Sequence, residues 1–363
     1  MRGRLAALVG PEQVQVKEFD VPGPETGALL VRVRRANVCG SEVHIWHFHH
    51  PVIREAVLGH EFIGEVVTLG DGVTTDYAGE PVEVGDRVVA TYYLTCRKCP
   101  ACLRSEFNLC RRAYEFWAKR PEEAPHFHGA FADYYYIHPM QYFYKVPDSV
   151  PDETVTGANC GLSQVIFGLS ETGLTAGDVL VIQGAGGLGL YAASVAKEMG
   201  AFVIVVDAIA QRLDLATRFG ADETVDMNQY DSVEKRVRKV RSLSDAYGPD
   251  VVLEVTGVPA AFTEALELLR PGGRMVELGN VSLGKEHETP LAPGLITRKA
   301  LTVRGFVRYQ PWILHRALLF LERNHMARPF HELTDREYEL HEVDEAIRRT
   351  ESKAVARPAI VPG

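Results

Sequence analysis

The chain has 363 residues and a formal net charge of -9 at pH 7. That length is too great for one compact core, and that charge argues against nucleic acid as the main partner, because such binding relies on a basic surface. Hydrophobic residues make up 46% and charged residues 24% of the sequence, ordinary for a globular protein, and no apolar run reaches the roughly 20 residues of a membrane span. The N-terminal apolar stretch LAALV is too short for a signal-peptide core, so no membrane association and a cytoplasmic location are expected.

The first strand is expected to end in a turn at Gly10-Pro11. The runs ALLVRVRRANV, EFIGEVVTLG, DRVVATYYL and DYYYIHP follow, punctuated by Gly, Pro and Asp. They predict an irregular β-rich unit up to about residue 150. Inside it, CGSEVHIWHFHH (39–50) carries one cysteine and four histidines. Further on, CRKCPACLRSEFNLC places Cys96, Cys99, Cys102 and Cys110 at C-x2-C-x2-C-x7-C. Spacings this tight favour a metal over disulfides in a reducing compartment. Four thiolates close a tetrahedral zinc site and leave no position for substrate, so this zinc is expected to be structural. An iron-sulfur cluster is the competing reading; without a Cys-Pro at the fourth ligand or a second cysteine set, zinc is preferred. Residues 114–129, YEFWAKRPEEAPHFHG, read as an aromatic-bearing loop.

Beyond residue 150 apolar runs alternate with helical patterns: DVLVIQGAG, LYAASVAKEMG, AFVIVVD, AQRLDLATRFG, DVVLEVTG, AAFTEALELL and GGRMVELGN. This is the pattern of a doubly wound α/β domain with a parallel sheet. GAGGLG at 184–189 fits G-x-G-x-x-G through Gly184, Gly186 and Gly189, with Gly187 and Leu188 opening the helix. Small residues there permit a tight turn and close approach of a pyrophosphate to the helix N-terminus. Asp207 ends the next strand, where its carboxylate can accept from both ribose hydroxyls of NAD and repel the 2′-phosphate of NADP. Arg212 either lies over the adenosine ribose or is a surface arginine. The tail from 298 opens with strand-like LTVRGF and continues with a helix over 312–323.

Two cysteines remain, Cys39 and Cys160, and between them GHEFIGEV offers His60 and Glu61. Cys39, His60 and Cys160 together supply a Cys2His set whose fourth zinc position stays open to a water or a substrate oxygen. With CGSEVH, GHEFIGEV, the four-cysteine lobe, GAFADY, the cysteine of ANCGLS, and GAGGLG followed by Asp207, the chain resembles the zinc-dependent alcohol dehydrogenases of the medium-chain dehydrogenase/reductase superfamily over essentially its whole length.

The resemblance implies a split GroES-like catalytic domain (1–155 and 298–363) with a Rossmann NAD-binding domain (156–297) inserted, and an active site in the cleft. It implies two zinc ions per chain, one catalytic and one structural, and hydride transfer from an alcohol to NAD to give an aldehyde or ketone. It further implies that Ser41 takes the alcohol proton, that His44 releases it to solvent, and that Glu61 sits near the catalytic metal. Family members assemble as homodimers or homotetramers. Cys160 matches the alcohol dehydrogenases, whereas polyol-type relatives commonly place a glutamate there. Three departures stand out: Glu42 where an aspartate is usual, Gln164 where a threonine is common, and a longer TTDYAGEPVEVGDRV. By position Trp46 and Tyr92 face the cleft, with Trp117, Phe306 and Tyr309 as further candidates. Aromatic walls would suit an apolar or aryl alcohol; the alternative is that half of these rings are core. His47, His49 and His50 rim the cleft or face solvent. The competing functions are a polyol, hydroxy-acid or acyl-CoA-linked alcohol dehydrogenase on the same scaffold, and a non-catalytic zinc- and NAD-binding structural or sensor protein.

Overall fold

A computed structural model describes residues 1–281, 283–352 and 357–363. The chain forms two compact units, one of Met1–Ser163 with Gln310–Gly363 and one of Gln164–Tyr309.

The first unit opens with the antiparallel hairpin of β1 (Arg2–Gly10) and β2 (Gln13–Asp20). There follow β3 (Leu29–Asn37), β4 (Glu61–Leu69), β5 (Arg87–Ala90), β6 (Tyr134–Ile137) and β7 (Phe143–Lys145). Their Val, Ile, Phe and Tyr side chains suit a pleated surface and fill a core that includes Val31, Val33, Phe62, Val66 and Val88. The antiparallel register of β3 on β4 sets Asn37 opposite Glu61. Cys39, two residues beyond β3, and His60, one residue before β4, are thereby brought together.

The second unit is a parallel sheet of β8 (Val179–Gln183), β9 (Phe202–Asp207), β10 (Glu223–Asp226), β11 (Val251–Glu254), β12 (Arg274–Glu277) and β13 (Thr302–Gly305). Its order is β10-β9-β8-β11-β12-β13, with every neighbouring pair parallel. The strand order reverses between β8 and β11, the place where open α/β sheets bind ligands. The glycine loop leaves β8 at that point.

The chain then returns to the first unit with β14 (Thr334–Tyr338) and β15 (Arg357–Ile360), and β15 pairs antiparallel with β3. The sheet runs β14-β15-β3-β4-β5-β7, with β6 also on β3. Both handovers differ from the expected ones. β13 pairs with β12, so residues from 298 to 309 stay with the parallel sheet and the return starts at Gln310. At the first handover, Asn159 donates to the carbonyls of His60 (2.8 Å) and Ala90 (2.9 Å), tying the π-helical turn Ala158–Leu162 to β4 and β5. The segment from 156 to 163 therefore belongs to the first unit. Among the described residues no helix is long and apolar enough to cross a membrane.

Candidate active site

Cys39 precedes the helix Gly40–Trp46 as its N-cap, and Glu42 stands in that helix's first turn. The Glu42 carboxylate does two jobs. Its Oε2 accepts the Cys39 backbone N–H at 2.9 Å, and its Oε1 lies 2.5 Å from His60 Nδ1. The His60 proton therefore sits on Nδ1 and the Nε2 lone pair is free for a metal. The extra methylene of glutamate over aspartate is absorbed without loss of either bond. Cys160 completes the group from the π-helical turn, its sulfur 3.9 Å from that of Cys39 and 3.2 Å from His60 Nε2. One ligand atom from each of Cys39, His60, Glu61 and Cys160 lies within 4.8 Å of all the others. At 3.9 Å the two sulfurs are too far apart for a disulfide of about 2.05 Å, and close to the roughly 3.8 Å edge expected for two thiolates at 2.3 Å from one zinc.

Hydrogen bonding to Cys160 holds the Cys39 thiol well below its ordinary range, while Cys160, bonded to Cys39 and buried, is pushed well up. Burial opposes charge on His60, but the Glu42 carboxylate and the Cys39 sulfur together outweigh it and raise the imidazole. Burial also lifts Glu61, to about 7, against the pull of Arg357. Arg357, only 5% exposed, pairs with Glu61 Oε2, and Glu61 Oε1 is buried with no partner. The sulfurs of Cys39 and Cys160, His60 Nε2 and a carboxylate oxygen of Glu61 are ligand types that fit a zinc ion.

Cys96, Cys99, Cys102 and Cys110 form a second group on the same 4.8 Å criterion, with Cys96 and Cys102 sulfurs 3.9 Å apart. Backbone N–H groups of Cys96 and Cys99 donate to the sulfurs of Cys110 and Cys96, each at 3.3 Å, orienting thiolates in the manner of a closed site. The backbone of Cys102 and Arg111 draws the Cys99 thiol down to about 6.

In the second unit Gly184 has φ +103°, and a Cβ there would meet Thr256 at 2.9 Å. A Cβ on Gly189 would come within 1.8 Å of the Gly184 carbonyl oxygen, so helix and strand approach as only glycine allows. Gly186 faces open space where a side chain would stand, and as N-cap of the helix Gly187–Glu198 it leaves the first amides, Gly187 and Leu188 among them, without a side-chain cap. That cradle fits a dinucleotide pyrophosphate. Asp207 is 8% exposed, its two oxygens accepting the N–H groups of Ala185 (2.7 Å) and Ile209 (2.9 Å). Each oxygen retains a lone pair for a ribose hydroxyl. Arg212 lies half-buried on the helix Ala210–Arg218.

The expected pocket aromatics divide. Tyr92 is half-buried with its ring 4.9 Å from that of His60, and Trp117, 5% exposed, lies at the same distance from His60. Trp46 is turned into the core. It is 2% exposed in the core, donates from Nε1 to Asp344 at 2.8 Å, and has the Arg348 guanidinium over its ring, so it fastens its helix to Val343–Glu351. Tyr309 is fully buried, and Phe306 packs against Phe167. Gln164 donates to the Phe306 carbonyl at 3.0 Å. Ser41 and His44 lie half-buried on the helix that Cys39 caps. His47 bridges Glu12 (3.0 Å) and Glu351 (2.7 Å), His50 Nδ1 accepts the N–H groups of Val52 and Ile53, and His49 is exposed. None of these three belongs to a metal-binding group among the described residues. Arg357 and Asn159 had no signal in the sequence beyond the rule that a buried carboxylate needs a countercharge.

Comparison with known proteins agrees with this geometry. Residues 25–148 match the family model of the alcohol dehydrogenase GroES-like domain, and residues 187–323 that of zinc-binding dehydrogenases. The chain is 32% identical over 367 aligned positions to 5-exo-hydroxycamphor dehydrogenase of Pseudomonas putida, covering 98% of each chain. It is 31% identical to sorbitol dehydrogenase of Halalkalibacterium halodurans, covering 100% of this chain and 99% of that one. The crystal structure of an alcohol dehydrogenase from Thermotoga maritima superposes with a TM-score of 0.93 at 28% identity, over the full length of both. Full-length likeness and matches on both units make this chain a member of the zinc-dependent alcohol dehydrogenase family of the medium-chain dehydrogenase/reductase superfamily, an oxidoreductase acting on CH–OH groups.

Proposed function

We propose that the protein is an NAD-linked alcohol dehydrogenase with one catalytic and one structural zinc per chain, which oxidises a primary or secondary alcohol on an apolar or aryl skeleton to the aldehyde or ketone. The observation that carries this reading is the Cys39–His60–Cys160 group, which Glu61 joins and which among the described residues holds no further cysteine or histidine, with the rings of Tyr92 and Trp117 against His60. Zinc held there supplies Lewis-acid polarisation of the alcohol oxygen and lowers its pKa.

The remaining work falls to this chain's own groups. Glu42 fixes the His60 tautomer, and Arg357 neutralises Glu61, a member of the same ligand group. The Ser41 hydroxyl would accept the alcohol proton while giving up its own, and His44 would release a proton to solvent, with a bound NAD supplying the hydride acceptor. Gly184–Gly189 cradle the pyrophosphate, and Asp207 accepts from the adenosine ribose and repels a 2′-phosphate, which favours NAD. Tyr92 and Trp117 exclude water from the substrate end.

A polyol is the second reading, supported by the likeness to a sorbitol dehydrogenase and by Glu61, a carboxylate within the same ligand group. A panel of alicyclic, aryl, aliphatic and polyol alcohols, followed by NADH absorbance, separates the two. Fastest turnover on the alicyclic or aryl members is expected; fastest turnover on the polyols would overturn the apolar assignment. Dinucleotide binding without NADH formation on any member would point to a non-catalytic module.

A further inference from the structure

At the C-terminal edge of the parallel sheet three side chains stand in register on one face: Gln183 of β8, Glu254 of β11 and Glu277 of β12. Glu254 is fully buried and Glu277 half-buried, and the Asn280 amide bridges them, donating to Glu254 Oε2 at 3.0 Å and Glu277 Oε1 at 3.2 Å. Each carboxyl also holds the turn after its own strand. Glu254 Oε1 accepts the Thr256 N–H at 2.6 Å and the Thr256 hydroxyl; Glu277 Oε1 accepts the N–H groups of Gly279 (3.0 Å) and Asn280 (2.9 Å). The two turns touch, since a Cβ on Gly279 would fall 2.3 Å from Glu254 Oε2 and one on Gly257 would fall 2.9 Å from the Gly279 carbonyl. Thr256 in turn packs on Gly184, the first glycine of the dinucleotide loop.

Among the described residues no cation is paired with either carboxyl. Gln183 and Gly305 flank the pair in register, and Thr256 and Asn280 are neutral. On the helix Pro259–Leu268, packed against β11 and β12, Glu264 is engaged in a two-point ion pair with Arg236 and Glu267 is exposed. Two neighbouring carboxyls, one of them fully buried, cannot both ionise cheaply. Gln183 Oε1 and Glu277 Oε2, acceptors on the two register neighbours of Glu254, are moreover buried without a donor. Burial first, and Glu277 second, push Glu254 up to about 8.

We propose that Glu254 and Glu277 share one proton and act as positioning residues for the coenzyme, the singly protonated pair holding Thr256 against Gly184 in the form that accepts the pyrophosphate. The proposal rests on the reading of Gly184–Gly189 as a dinucleotide site. Loss of the shared proton sets two like charges against each other beneath the loop and weakens binding.

The test is a fluorescence titration of the intact protein with NADH from neutral to alkaline pH, on wild type, Glu277→Gln and Glu254→Gln. In the wild type, Kd should rise on the order of fivefold, with a midpoint near 8. In either variant the pair carries at most one charge, so the ratio of alkaline to neutral Kd should collapse towards unity whatever its absolute values. Should Glu254→Gln fail to fold, Glu277→Gln decides alone, since its side chain is half-buried. A flat wild-type profile, or an alkaline rise that survives in Glu277→Gln, overturns the proposal while leaving the dinucleotide site intact. Absence of NADH binding at every pH overturns the dinucleotide reading and this proposal with it.

Discussion

The two cysteine-bearing metal groups of the first unit are built in opposite ways. The lobe draws all four ligands from residues 96 to 110, and its geometry is a property of one short loop. The other group gathers Cys39, His60 and Cys160, its two cysteines 121 positions apart in the chain. It exists only because β3 and β4 pair in a fixed register and Asn159 ties the π-helical turn to β4. A local ligand set can be closed on all four sides and left to stabilise the fold. A set assembled from distant segments depends on the whole unit for its shape.

That contrast makes graded predictions. Cys160→Ser should remove the Lewis acid and lower turnover by about 10³-fold or more, at several kcal/mol of barrier, with the melting temperature little changed. Turnover within a few-fold of wild type would break the distinction. Cys102→Ser in the lobe should do the reverse, costing on the order of 4 kcal/mol and about 10 °C in melting temperature. Normal thermal stability in that variant would mean that the lobe is not a structural metal site. Glu42→Gln should lower zinc affinity at the open site roughly 10–100-fold while Glu42→Asp restores most of it; equal affinities in a chelator competition would remove Glu42 from any role in orienting His60. Asp207→Gly should erode the NAD over NADP preference by about tenfold, and an unchanged ratio of kcat/KM values would count against its ribose contact.

The same contrast explains what the sequence could reveal. Cys96 to Cys110 and Gly184 to Gly189 were legible because their chemistry sits in one contiguous stretch, and the structure brings those atoms together as the spacing implies. Trp46 reads as a pocket residue from its position near Cys39, whereas its partner Asp344 lies 298 residues away and only the fold joins them. Arg357 was invisible for a like reason: it meets Glu61 across 296 residues, through the pairing of β15 and β4 on either side of β3. The handover at 298 was set too early because LTVRGF reads as a strand but carries no mark of which sheet it joins; β13 is the exposed edge of the parallel one. Local spacing specifies donors, and register specifies which donors meet.

The most direct test of two separate zinc sites, one closed and one open, is elemental analysis of the purified chain beside its Cys39→Ser variant. Two zinc per chain in the wild type and one in the variant, with the lobe still filled, is the predicted result by the ligand count above. One metal in the wild type, iron in place of zinc, or an undiminished metal content in Cys39→Ser would contradict it.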